Sequence, residues 1–207
     1  MKIFHIIRNQ TNISMFKEIV QECIHSALGD KVYISSGFFQ EMPKGTYSAS
    51  NDMDSMGRSF LNNTNPLDVY LSGVHNAAWN ARFCTFITNL SNVGVYNIFV
   101  NGVPYSPSIK IQTAQRHHAK VFIYQLKDEP LLEIVGSSNF TRPAYGTTGT
   151  FNKEADLIIC NCKKIEQILI QKIQQYDISH GIMILNYDEL NKTTLIDEMR
   201  WIRDNLF

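Results

Sequence analysis

The chemistry-bearing residues of the chain fall in three short segments. The first is Arg116-His117-His118-Ala119-Lys120, which leads into the apolar run VFIYQ. Side chains alternate along an extended strand, so His118 and Lys120 share one face while His117 and Ala119 take the other. An imidazole beside an ammonium suits a phosphate. The cation holds the anionic oxygens, and a ring nitrogen attacks phosphorus or gives up a proton. The second segment, Gly136-Ser137-Ser138-Asn139-Phe140-Thr141, follows the apolar run LLEIV. Its glycine permits a sharp turn, and its Ser and Asn side chains are neutral hydrogen-bonding groups for a phosphoryl oxygen. The third, Asn152-Lys153-Glu154-Ala155-Asp156, opens the run ADLIIC and puts Glu154 and Asp156 on one face. Either carboxylate could hold a histidine ring in its working tautomer. Each segment alone also fits a plain strand edge or turn.

Taken in order, H-x-K, then G-S-x-N, then N-x-E resembles the signature of the phospholipase D superfamily, and more narrowly its single-motif, nuclease-like branch of restriction endonucleases and small bacterial nucleases. The phrase Ser36-Gly37-Phe38-Phe39 after an early strand resembles the same family. One position departs from it: many members carry Asp five residues after the motif Lys, where this chain has Gln125. The nuclease branch often lacks that Asp, so the change weighs more against a lipid hydrolase than against a nuclease.

The resemblance implies an α/β sandwich with a mixed central β-sheet flanked by helices, and a metal-independent phosphodiesterase with no cofactor. His118 is then the nucleophile, passing through a phosphohistidine. Lys120, Ser137, Ser138 and Asn139 bind the phosphate, and Glu154 orients the imidazole. Because the motif occurs once, the resemblance also implies a homodimer whose two copies of His118 share one site. The substrate expected is nucleic acid, with DNA favoured, in a restriction or phage-defence setting where a partner protein could select the target. Arg116, His117, Arg142 and Lys153 flank the motifs as a candidate substrate rim. A phospholipid hydrolase of the cardiolipin type and a non-catalytic nucleic-acid-binding subunit remain the alternatives.

Other chemistries find little purchase. The common metal-dependent nuclease core needs an acidic residue two positions before Lys, and no D-x-K or E-x-K occurs in the chain. A zinc site would need Cys160 and Cys162 with His117 and His118, but the adjacent histidines point to opposite faces and no second cysteine pair accompanies them. There is no phosphate-binding G-x-x-x-x-G-K-[ST] loop.

Elements able to position the three segments follow from the apolar patterning. Residues 3–7 read as a strand. Residues 14–28 read as a helix with Phe16, Ile19, Val20, Cys23, Ile24 and Ala27 on its stripe, Asn12 or Ser14 as N-cap and Gly29 as C-cap. Residues 31–39 form a buried strand, and 40–66 a long loop with a short helix at 54–61. A helix at 76–90 leads to a strand at 95–100 and an Asn101-Gly102 turn. Strands at 120–125 and 131–135 form a hairpin around 128–130, followed by a strand at 155–160 and helices at 163–176 and 194–206. With no repeat or linker, 1–207 reads as a single domain.

The 19 basic and 19 acidic residues cancel, so a basic coat spread over the whole surface is excluded while a local basic site is not. No apolar run is long enough to span a bilayer, the amino terminus lacks a signal-peptide pattern, and the four cysteines are scattered, which together predict a cytoplasmic protein with free thiols.

Overall fold

The computed structural model describes residues 1–8, 14–39, 60, 65–74, 77–92, 96–108, 117–141, 144, 154–175, 182–187, 196, 200 and 203. Its described strands are β1 (Lys2–Arg8), β2 (Lys31–Ser36), β3 (Leu67–Gly73), β4 (Tyr96–Val100), β5 (Val103–Pro104), β6 (Val121–Leu126), β7 (Glu129–Gly136), β8 (Glu154–Cys160) and β9 (Ile182–Tyr187). They form one sheet in the order β5-β4-β3-β2-β6-β7-β8-β1-β9. Pairing is parallel across β2, β3 and β4 and antiparallel at every other junction, so the sheet is mixed, as expected.

Helices α1 (Met15–Ser26), α2 (Asn80–Ser91) and α3 (Lys163–Gln174) share one large core with alternate residues of the strands. The other residues of those strands, among them Tyr33, Val121, Ile123 and Ile159, make a second, smaller cluster on the opposite face. Helix α1 starts where the sequence predicts: Ser14 Oγ accepts the Lys17 N–H at 3.2 Å, which satisfies an otherwise orphaned donor. It ends earlier than predicted, at Ala27, which adopts φ +50° and donates its N–H to Ile24 O. Gly29 is therefore not the cap. It lies under Tyr124, where a Cβ would come within 2.6 Å of both the tyrosine ring and Gln125 O, and its N–H donates to the Tyr124 hydroxyl at 2.5 Å. A close approach, not a helix end, requires the glycine.

The Asn101-Gly102 turn is present, with φ +50° and +79°, and closes the β4–β5 hairpin in the manner of a two-residue turn with both φ positive. The β6–β7 hairpin turns earlier than predicted, at Lys127-Asp128, and Glu129 and Pro130 already belong to β7. Strands β3, β5 and β9 are additions to the expected list. The predicted helix at 54–61 lies outside the described residues except Phe60, and that at 194–206 except Ile196, Arg200 and Arg203, each of which is helical.

Strand direction determines what meets at each edge of the sheet. β2 ends where β6 begins (Ser35 opposite Val121), β7 ends beside the start of β6 and β8 (Val135 opposite Val121, Gly136 opposite Asp156), and β1 ends where β8 begins (Arg8 opposite Glu154). Five adjacent strands thus deliver all three motif segments to one edge. The packing beneath that edge is aromatic. Phe39, just after β2, bridges Phe140, just after β7, and packs at 4.8 Å from Phe83 and 5.3 Å from Phe86 of α2, with Phe16 of α1 edge-on to Phe140. Four of these five rings, Phe39, Phe83, Phe86 and Phe140, are almost fully buried, and Phe16 is 7% exposed. Each contributes roughly 2–3 kcal/mol of apolar burial, which holds the two turns in place from below.

Candidate active site

His118 and Lys120 stand side by side just before β6. Lys120 Nζ lies 2.9 Å from His118 Nδ1 and donates to His118 O at 2.8 Å. His118 is exposed and Lys120 half-buried. Burial pulls the Lys120 pKa below the ordinary lysine value, and the charge of Glu154 opposes that fall. A carboxylate on β8 therefore acts electrostatically on an ammonium at the start of β6, two strands away.

The adjacent His117 points elsewhere, as the strand period requires. Its Nε2 lies 2.5 Å from Ser35 Oγ at the end of β2. Burial above all, then the charges of His118 and Lys120, lowers the pKa of His117. The chain after β2 passes close beneath the pair: a Cβ at Gly37 would lie 3.1 Å from His117 O and 3.3 Å from His118 Cα.

The turn after β7 is held by carboxylates from β8. Glu154 receives the Ser137 hydroxyl, whose oxygen in turn accepts the Ala155 N–H at 2.9 Å. Asp156 accepts the Ser138 N–H at 3.1 Å through Oδ1 and the Ser138 hydroxyl at 2.6 Å through Oδ2. Ser138, Glu154 and Asp156 are all buried. On the far side of the turn, Ser36 accepts the Phe140 N–H at 3.1 Å, and its Oγ lies 3.2 Å from Asn139 Oδ1. Asn139 is thus tied to β2, Ser138 and Ser137 to β8, and the backbone of Gly136 to Lys120 O at 3.3 Å.

The structure therefore brings His118, Lys120, Ser137, Ser138, Asn139 and Glu154 to one edge. It gives Ser138 and Ser137 partners within the protein, so their hydroxyls shape the turn. Of the candidate rim, His117 faces Ser35, while Arg116, Arg142 and Lys153 lie outside the described residues. Gln125 sits at the other end of β6, buried, where its side-chain amide donates to Lys127 O at 2.6 Å. Its work is in the hairpin turn, remote from His118.

Several contributors were missed by sequence reasoning. Asp156, read only as an alternative ring-holder, clamps Ser138. Ser36 ties β2 to Asn139, and the SGFF phrase carried that signal. Arg8, buried opposite Glu154, donates to Ala144 O at 3.0 Å, and Ser14 Oγ donates to the same carbonyl at 2.8 Å. Arg8, Ser14, Glu154 and Asp156 help to line a small hollow beside the turn. An arginine at the end of a strand far from the motifs offers no local sign of this.

Among the described residues, no group of three or more His, Cys, Asp and Glu side chains is placed to hold a metal ion, and no helix is long and apolar enough to cross a membrane. The described cysteines, Cys23, Cys84, Cys160 and Cys162, are all free thiols.

No protein-family model and no curated protein matches the chain. Among solved structures it is similar to NucT from Helicobacter pylori, with 17% identity and a TM-score of 0.42, over 76% of this chain and 86% of that one. It is also similar to phosphatidylserine synthase from Haemophilus influenzae, with 10% identity and a TM-score of 0.45, over 98% of this chain but only 45% of the synthase. A third likeness, to polyphosphate kinase from Porphyromonas gingivalis, has 9% identity and a TM-score of 0.39, over 86% of this chain and 26% of the kinase.

Proposed function

We propose that the chain is a phosphodiesterase of the phospholipase D type that cleaves nucleic acid without a metal, with His118 as nucleophile. One observation carries the reading: Lys120 Nζ lies against His118 Nδ1 at the same sheet edge as a Gly136–Asn139 turn clamped by Glu154 and Asp156. An imidazole, an adjacent ammonium and a fixed amide are the parts a phosphoryl transfer needs when side chains stabilise the charge.

In the proposed reaction Lys120 moves off Nδ1, His118 takes the tautomer with its proton on Nδ1, and the unprotonated Nε2 attacks phosphorus as the bond from phosphorus to the leaving oxygen breaks. That oxygen takes a proton from the partner subunit's His118 across a two-fold axis. The same imidazole then removes a proton from water, which attacks phosphorus and releases His118. Lys120 leaves Nδ1 to meet the non-bridging oxygens together with Asn139. Glu154, whose charge already acts at Lys120, orients the imidazole. Homodimer formation is part of the proposal, because one chain supplies one such histidine.

Nucleic acid is preferred to phospholipid because Gln125 stands where many lipid-type members carry Asp, and because no helix among the described residues offers a membrane span. A role in restriction or phage defence, in the cytoplasm and with a target-selecting partner, is the setting this reading fits. The test is a substrate panel in excess chelator: plasmid DNA, single-stranded DNA, RNA and cardiolipin vesicles, each with wild type and His118→Ala. Nucleic-acid cleavage lost in the variant supports the reading. Lipid turnover alone moves it to a phospholipid hydrolase, and binding without cleavage to a non-catalytic subunit.

A further inference from the structure

The two phenylalanines of the SGFF phrase do different things. Phe39 is fully buried among Phe83, Phe86 and Phe140. Phe38, one residue earlier, is turned toward the site and remains half-exposed. Its ring stands edge-to-face with the exposed His118 imidazole, 5.9 Å between centroids and 89° between planes, and packs at 5.1 Å and 63° against Trp79. Trp79 ends the 3-10 turn Ala77–Trp79 and is itself half-exposed, with Ala77 and Ala78 exposed beside it. Packing accounts for the buried Phe39 ring; Trp79 packs in part against the same core, and Phe38 and Trp79 both keep part of their surface in water.

We propose that Phe38 and Trp79 form a stacking wall for an unpaired nucleobase next to the scissile phosphate, making single-stranded nucleic acid the preferred substrate. The inference rests on the phosphodiesterase reading above and deepens it. A base is joined to its phosphate through one sugar, so a base beside a phosphate at His118 falls within reach of Phe38, whose ring centre lies 5.9 Å from that imidazole, with Trp79 5.1 Å from Phe38. A base paired within a duplex cannot turn its face to such a wall, whereas an unstacked base can. Charge points the same way. With 19 basic and 19 acidic residues the chain has little excess charge for counterion release along a duplex, and stacking on aromatic side chains binds a base without it.

The experiment compares a single-stranded oligonucleotide with the same oligonucleotide made abasic at the nucleotides flanking the scissile phosphate, using wild type, Trp79→Leu and Trp79→Tyr. The wild type is expected to show a KM about tenfold or more lower on the base-bearing strand, and cleavage of a matched duplex at least tenfold less efficient than either. Trp79→Leu closes the gap between the two strands, and Trp79→Tyr, which keeps an aromatic face, preserves it. Equal KM values for both strands in the wild type, or an undiminished gap in Trp79→Leu, overturn the stacking wall while leaving the phosphodiesterase intact. The wild-type comparison decides the matter even if Trp79→Leu fails to fold. Failure of the wild type to cleave any strand overturns the underlying activity instead.

Discussion

Asp156 holds Ser138 by both its amide and its hydroxyl, at 3.1 and 2.6 Å, so the turn that presents Asn139 is built against a buried carboxylate of the neighbouring strand. Gly136 makes room for it: a Cβ there would stand 2.2 Å from Asp156 Oδ1 and 2.5 Å from Ala155 O. Asp156→Ala leaves the buried Ser138 amide without its acceptor and is expected to cost about 2–4 kcal/mol. Denaturant unfolding measures the loss. Gly136→Ala forces the turn away from β8 and is expected to lower kcat even where the protein stays folded.

Lys120 gives the alkaline side of the pH profile. Its pKa is lowered by burial, so its charge is lost on raising pH sooner than that of an ordinary lysine, and activity should fall as it goes. Glu154 raises that pKa, so Glu154→Gln should shift the alkaline limb to lower pH. Lys120→Arg should remove the limb, and Lys120→Ala should reduce kcat about 10²–10³-fold. Rate measurements from pH 6 to 10 check all three.

His117 gives an acid-side effect on stability instead. Its folded pKa lies below the ordinary value of about 6.5. The unfolded chain therefore binds the proton more readily, and the contribution of neutral His117 is complete above that value and lost as pH falls from it through the folded pKa. Thermal unfolding should show stability dropping below about pH 6.5, and His117→Gln should flatten that slope.

The pairing of protomers is tested by concentration. If two copies of His118 share a site, specific activity should fall on dilution in step with dissociation followed by sedimentation. A monomer that keeps full activity contradicts the shared site.

The site was legible in the sequence to the extent that its chemistry is local. The H-x-K spacing separated His117 from His118, and the glycine of GSSN marked a turn that needs close backbone approach. The partners across strands were not legible in the same way. Asp156 and Glu154 both face the turn, and only the β7–β8 register shows that one holds Ser138 and the other Ser137. Arg8 enters through strand order, which brings the first strand beside β8. Among the elements, alternation of Leu67, Val69 and Leu71 with Asp68, Tyr70 and Ser72 did announce β3. The polar, irregular stretch before it masks that strand. The Gly29 cap failed because glycine answers to two needs, a helix end and a tight contact, and local sequence does not distinguish them.

The most direct test of the central claim is to stop a single turnover with acid, in excess chelator and with a substrate labelled at the scissile phosphate, and to map the label on the protein. The account predicts a labelled phosphohistidine on His118, absent in His118→Ala together with cleavage. Chelator-resistant cleavage by His118→Ala at the wild-type rate, or turnover by the wild type with no label reaching His118, would contradict it.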